Sequence, residues 1–241
     1  MKSFRSKLRK VKPVYSAYRM LRLYYMRQVK DWLELGYYKL FKSWSTFSFQ
    51  HRNYKYFYEK YNQTWRNERT VEIPIVWHIL KSSKGDIAGL GNVLSHYFNI
   101  NHEVVDKYEK AEGVLNVDII ELAGSKKYDL IISISTLEHV GYDECSSYRL
   151  HDGSKLLLAM DVLKRLLKPN GKLIVTFPLG YNPYLDEFVR SNRLGLSERF
   201  CLKRVSKDNR WVEADWEEVK YAKYGSPHPY ANGLVIGIFE G

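Results

Sequence analysis

Apolar and polar positions along this chain follow two rhythms. In residues 14–35, "VYSAYRMLRLYYMRQVKDWLEL", apolar residues recur at helical spacing as Val14, Tyr18, Leu21, Tyr25 and Trp32. Arg19, Arg22 and Lys30 fall mostly between them, which predicts a basic amphipathic helix that stops at Gly36. The basic residues 2–12 before it read as a poorly ordered arm. Residues 37–65 are dense in aromatics, and a further helix is predicted over 67–81. Beyond it come strand-like runs at 86–90, 102–106, 114–118, 128–135, 171–177 and 234–239. Between two of these, "SKLLLAMDVLKRLL" predicts a helix over 154–167, ended by "KPNG", where Pro169 and Gly171 force a turn. Strand–helix alternation predicts an α/β chain built on a mostly parallel sheet with helices on both faces. Runs such as "LIISI" and "LIVTF" are apolar throughout, as central parallel strands are.

Charge changes the picture of the first third. The net charge is +11 over 241 residues, yet residues 1–70 carry 17 Lys and Arg against 4 acids, and the rest of the chain 21 against 23. Residues 1–70 therefore read as a basic, aromatic-rich helical extension, and 71–241 as the main domain. Such asymmetry predicts an anionic partner. Three roles for the extension stay open. It lies as an interfacial helix on an anionic membrane, it clamps nucleic acid, or it packs on the main domain with its charges solvated. The 20 tyrosines favour the first and third, because the ring is buried while the hydroxyl stays wet; nucleic acid is the weaker partner. Cys145 and Cys201 form no disulfide framework and have no metal-ligand spacing, which fits a reducing, cytoplasmic setting. A peripheral position at the inner face of the membrane refines that expectation. No apolar run nears the ~18–20 residues that a span needs. Arg19, Arg22 and Arg27 interrupt any secretory signal.

In an open parallel sheet, ligands bind past the carboxyl ends of the strands, where the winding reverses. The first run ends at Gly89-Leu90-Gly91-Asn92, where glycines let main chain approach a ligand. The second ends at Asp106, a carboxylate placed to accept from both hydroxyls of a ribose. The third ends at Asp118, placed to accept from an adenine amino group. The fourth ends in "SISTLEHVG", which puts Ser135, Glu138 and His139 around the cleft.

"YDLIISISTLEHVG" followed by "LLKPNGKLIVTFPLG" resembles the fourth- and fifth-strand motifs of class I S-adenosylmethionine-dependent methyltransferases. The resemblance covers roughly residues 70–241 and is most specific at 128–178. It implies a Rossmann-like sheet of seven strands, the last of them antiparallel, and S-adenosyl-L-methionine as cofactor. It implies that Gly89, Gly91, Asn92 and Ser135 line the cofactor, that Asp106 holds its ribose, and that Asp118 with Ile119 holds its adenine. The family loop reads acidic-x-Gly-x-Gly-x-Gly. Here Gly89 replaces the acid, Gly91 keeps the first glycine, and Val93 and Ser95 replace the others. Gly91 and Asp106 are also too close for a full crossover helix, which must be short or malformed. NAD fits less well, because no Gly-x-Gly-x-x-Gly is present and Leu94 stands where its last glycine would.

The function expected from the resemblance is methyl transfer to oxygen of a small molecule or a glycan, which is lipid-linked in one form of the reading. His139 is the candidate general base, with Glu138 orienting it or replacing it; the alternative is a structural histidine that caps the helix after the strand. Some relatives hold a divalent metal with Glu-x-x-Glu-His. Ser135 stands at the first of those positions, with Asp143 and Glu144 nearby, and no metal is expected. Tyr181 and Asn182 follow the fifth strand as candidate acceptor-binding residues; the alternative is a loop that starts a helix at Pro183. Trp65, Arg66 and Arg69 are candidates for binding the acceptor from a helical lid, against simple packing on the sheet. His228, in "YGSPHPYANG", is a candidate for the same cleft or part of a surface turn. A non-catalytic Rossmann-like module and an RNA methyltransferase that uses the basic extension are the rival functions.

Overall fold

The computed structural model describes residues 2–122, 126–143 and 153–241. The chain divides into two compact units, Met1–Trp44 and Ser45–Gly241. The first is α1 (Lys2–Tyr37), continued by a turn of π-helix at Tyr38–Lys42. Helix α1 starts before the expected position: residues 2–12 are its first turns, not a loose arm, and Lys, Arg and Leu there are good helix formers. Gly36 does not stop it, and the helix runs one residue further.

The second unit begins with a hairpin, β1 (Thr46–Phe49) and β2 (Arg52–Lys55). Phe47 and Phe49 of this hairpin are buried with Val71, Ile75, Leu202 and Trp211. That packing is why the compact unit starts at Ser45 and not at residue 71. Helix α2 (Arg69–Ser82) follows, with Pro74 inside it. Pro74 has no N–H to donate to the Thr70 carbonyl. The Phe57 N–H takes its place, 3.0 Å from Thr70 O, and this ties the segment before α2 to the helix.

The sheet is built from β3 (Ile87–Leu90), β4 (Glu103–Val105), β5 (Val114–Leu115), β6 (Tyr128–Ile134), β7 (Leu167–Pro178), β8 (Glu198–Arg204), β9 (Trp211–Ala214) and β10 (Gly233–Glu240), with helices α3 (Ser154–Arg165), α4 (Pro183–Arg190) and α5 (Trp216–Val219) between them. Its order is β5-β4-β3-β6-β7-β10-β8-β9. The five strands from β5 to β7 run parallel, while β10 pairs antiparallel with both β7 and β8. This is a Rossmann-like α/β fold whose last strand is antiparallel, as expected, but among the described residues the sheet has eight strands, not seven. The expected turn at "KPNG" lies inside β7 as a bulge: the partner of Tyr128 is Leu167, whereas that of Leu130 is Lys172.

Alternate residues of the central strands feed different cores. Ile131, Leu173, Val175 and Phe177 pack with Leu156, Met160 and Leu163 of α3 and Leu185 of α4. Leu130, Ile132, Ile134 and Ile174 pack with Ile73, Val76 and Leu80 of α2. The sheet is thus covered on both faces. Between β3 and β4, where a crossover helix would stand, there is only a 3-10 turn at Leu94–His96. The winding reverses between β3 and β6, so the ligand crevice of this fold belongs at their carboxyl ends.

Candidate functional site

A cavity of about 430 Å³ opens at that point. Of the residues proposed from sequence, Gly91, Asn92, Asp106, Asp118 and Ile119 line one part of it, and Ser135, His139 and Arg69 another. Gly89, Glu138, Trp65, Arg66, Tyr181 and Asn182 do not line it. Gly89 faces the other way, and a Cβ there would meet His102 Nε2 at 3.3 Å, where the missing crossover helix leaves room for that ring.

The turn after β3 depends on one glycine. Gly91 has φ +84, and a Cβ on it would collide with Thr136 Oγ1. Its N–H donates to Val105 O at 2.9 Å. Asp106 then clips the turn to the end of β4. Its Oδ2 accepts from Asn92 N at 3.0 Å, and its Oδ1 from Tyr108 N and Glu109 N at 2.9 and 2.8 Å. Glu109 adds a second carboxylate to the same wall. Its Oε1 accepts from Asn92 Nδ2 at 2.8 Å and lies 3.0 Å from His96 Nε2. The His96 ring stacks on Tyr61, with centroids 3.8 Å apart.

Asp118 is held by protein. Its Oδ2 lies 2.9 Å from Lys107 Nζ and 2.8 Å from Lys155 Nζ, and its Oδ1 accepts from Ile120 N at 3.3 Å. Burial pushes the carboxyl up, but the two ammonium groups outweigh it and hold it below the usual range. Beside it Leu90, Val105, Val117 and Ile119 form an apolar slot.

The opposite end of the cavity is built on β6. Ser135 closes that strand with φ +37, an uncommon conformation for a residue with a side chain. Its Oγ donates to Glu72 Oε1 at 2.6 Å. Arg69 reaches across from α2, with Nη1 3.3 Å from Glu72 Oε2 and 3.0 Å from Ile134 O, and Nη2 3.4 Å from Ser135 O. Glu68, Glu72 and Glu138 are all buried around this one guanidinium. Burial first, and then Glu72, raises the Glu68 carboxyl; burial raises Glu138 well above its ordinary value. Glu138 Oε2 has no hydrogen-bond partner among the described residues.

His139 is half exposed, and its Nδ1 meets Asp143 Oδ2. Asp143 also accepts from the Tyr181 hydroxyl at 2.9 Å, while the Tyr181 ring stands 5.1 Å from that of His139. Nε2 is left facing Glu138 Oε1 at 3.7 Å. The imidazole is oriented by Asp143, with Tyr181 behind it, rather than by Glu138 alone. Asp143 stands one helical turn from His139, a spacing legible in the sequence.

The remaining sequence candidates have structural occupations. Trp65 is core, with 1 % exposure. Arg66 donates to Gln63 Oε1 at 2.9 Å and lies over the Trp65 ring. Asn182 caps α4, accepting from Tyr184 N at 3.0 Å and Leu185 N at 3.3 Å, and donates to Glu138 O at 2.9 Å. His228 belongs to a loop tied together by Asn232. Among the described residues no group of three His, Cys, Asp or Glu is arranged to hold a metal; Glu144 and Cys145 lie outside the described residues. Tyr61, Asn62 and Glu109 are lining residues that the sequence did not point to.

No family model and no curated protein sequence matches the chain. Solved structures of S-adenosylmethionine-dependent methyltransferases are similar to it at low identity. The N-methyltransferase NodS of Bradyrhizobium japonicum, in complex with S-adenosylhomocysteine, is 12% identical, with 72% of this chain and 87% of that one covered at a TM-score of 0.43. A methyltransferase from Archaeoglobus fulgidus is 14% identical, covering 75% and 98% at 0.44. A TehB-like methyltransferase from Corynebacterium glutamicum is 15% identical, covering 67% and 84% at 0.37. The chain itself is a Rossmann-like α/β protein with a cleft of about 430 Å³ at its switch point.

Proposed function

We propose that this chain is an S-adenosylmethionine-dependent methyltransferase acting on oxygen of a small molecule or glycan, presented at the cytoplasmic face of a membrane. The observation that supports it is a single cleft joining a glycine turn, a clipped carboxylate, an apolar slot and a carboxylate-oriented histidine. The cofactor supplies a methyl group already activated on a sulfonium. The residues fit it. The Gly91 turn leaves main chain bare, Asp106 and Glu109 keep lone pairs for ribose hydroxyls, and the slot around Ile119 accepts a flat base. Asp118, held by two lysines, is left to shape that slot.

At the other end His139 receives the acceptor proton. With Nδ1 on Asp143, Nε2 is the basic nitrogen, and such a base contributes roughly 10²–10⁴-fold. Alignment of the acceptor contributes more, up to ~7–11 kcal/mol. Tyr61 and Arg69, which line the cleft, bound the acceptor's space. One observation favours the non-catalytic rival: the oxygens of both Asp106 and Asp118 are already engaged by protein donors.

Incubating the protein with methyl-labelled cofactor and fractionated extract separates the two. The enzyme reading expects label in a polar or lipid-soluble product, lost in His139→Asn. No label in any fraction, together with no binding of S-adenosylhomocysteine, leaves the non-catalytic module.

A further inference from the structure

Helix α1 displays in water what a folded chain normally hides. Leu21, Tyr25, Val29, Trp32 and Leu33 recur three and four residues apart, and each is more than half exposed, Trp32 at 73%. The π-turn and the residues after it continue the pattern, with Leu40 at 72%, Phe41 at 70% and Trp44 at 81% exposed. Isolated exposed apolar residues need no explanation, but a run of this length marks an interaction surface.

Its charge selects the partner. Residues 1–44 carry 12 Lys and Arg against Asp31 and Glu34 alone. Arg27 and Lys30 stand on the side of the helix away from the Leu21–Trp32 stripe, and Arg22 lies within it, with a stem long enough to lift its head out of an apolar layer. Among the described residues no helix is apolar enough to cross a membrane. At about 1.5 Å per residue, α1 is roughly 50 Å of amphipathic surface. A second copy of this segment would bring like charge against like charge. A nucleic acid would answer the cations and the aromatic rings but leave Leu21, Val29, Leu33 and Leu40 in water. An anionic bilayer answers both at once: aliphatic side chains enter the acyl boundary, Tyr and Trp sit at headgroup level, and cations meet lipid phosphates.

We propose that α1 and the π-turn lie in the plane of an anionic membrane surface, with Leu21, Tyr25, Val29, Trp32, Leu33 and Phe41 inserted. This docking does not depend on the methyl-transfer reading.

The test is co-sedimentation of the full chain with vesicles of phosphatidylcholine alone, or of phosphatidylcholine mixed with phosphatidylglycerol. Binding is expected to the mixed vesicles, much weaker to the neutral ones, and reduced by salt. Neutralising Arg22, Arg27 and Lys30 to Gln should weaken it by about 100-fold, at about fivefold per cation. Trp32→Ser with Leu33→Ser should weaken it by about tenfold or more while leaving the preference for anionic lipid. Both variants change exposed positions, and an unchanged thermal transition shows that they are folded. Equal binding to both vesicle types, or full binding by both folded variants, overturns the proposal. So does no vesicle binding together with tight single-stranded RNA binding, or with a dimer that the Trp32/Leu33 variant dissolves.

Discussion

At the Gly91 end of the cleft the walls are fixed by main chain. Gly91 N bonds β4, and Asp106 gathers three N–H groups from two loops. At the His139 end the walls are fixed by side chains: Arg69 among Glu68, Glu72 and Glu138, and His139 on Asp143 and Tyr181. The first end is shaped by a glycine turn and a hydrogen-bonded loop pair, which suits recognition by shape. The second concentrates buried carboxyl groups around an oriented imidazole, the kind of setting that suits proton transfer. One end should therefore govern binding and the other turnover, and substitutions can separate them.

The largest expected effect is at the His139 end. His139→Asn should lower turnover by about 10²–10⁴-fold while leaving the affinity for S-adenosylhomocysteine unchanged. Single-turnover methylation and calorimetry read the two quantities, and equal losses in both would erase the distinction between the ends. Next, Gly91→Ala adds a Cβ at φ +84 against Thr136. It should cost about 1–3 kcal/mol of stability and weaken cofactor-analogue binding in proportion, read by thermal unfolding with and without analogue.

A smaller effect concerns the support of the His139 end. Asp186 accepts from Gly180 N at 3.1 and 3.0 Å, beneath the loop that carries Tyr181. Burial raises its carboxyl to about 6. A carboxyl raised on folding contributes stability that is full below its unfolded value and is lost as pH rises through its folded one. The native protein should thus lose on the order of 2 kcal/mol between about pH 4 and pH 6 from this group. Asp186→Asn, which keeps an acceptor for Gly180, should flatten that slope in denaturant titrations at several pH values. An unchanged slope would place the ionised carboxylate in a wetter site.

The α/β alternation and the central strands were legible because a parallel strand buried on both faces reads as an unbroken apolar run. The hairpin β1–β2 was not. Its turn is Gln50–His51, both at positive φ, with neither glycine nor asparagine to mark it. Strand β8 was hidden by Arg199, Lys203 and Arg204, although Arg204 is buried by donating to the carbonyls of Arg66, Ser206, Lys207 and Pro229. In the site, Asp106 and His139 were readable as strand-end residues. Tyr61 was not, because it reaches the cleft through Asn62 and Gln63, both at positive φ and both invisible to periodicity. Arg69 was readable as a lid cation, but its engagement with Glu72 and two carbonyls is a tertiary fact.

In the proposed function the cleft holds one nucleoside against the Asp106 wall. Calorimetric titration of the wild-type chain and of Asp106→Ala with S-adenosylhomocysteine tests it most directly. One site is expected in the wild type, with an affinity about 10–100-fold weaker in the variant, since charge-assisted hydrogen bonds and the clip on the Gly91 turn are lost together. No heat of binding in the wild type, or equal affinity in the two proteins, contradicts it.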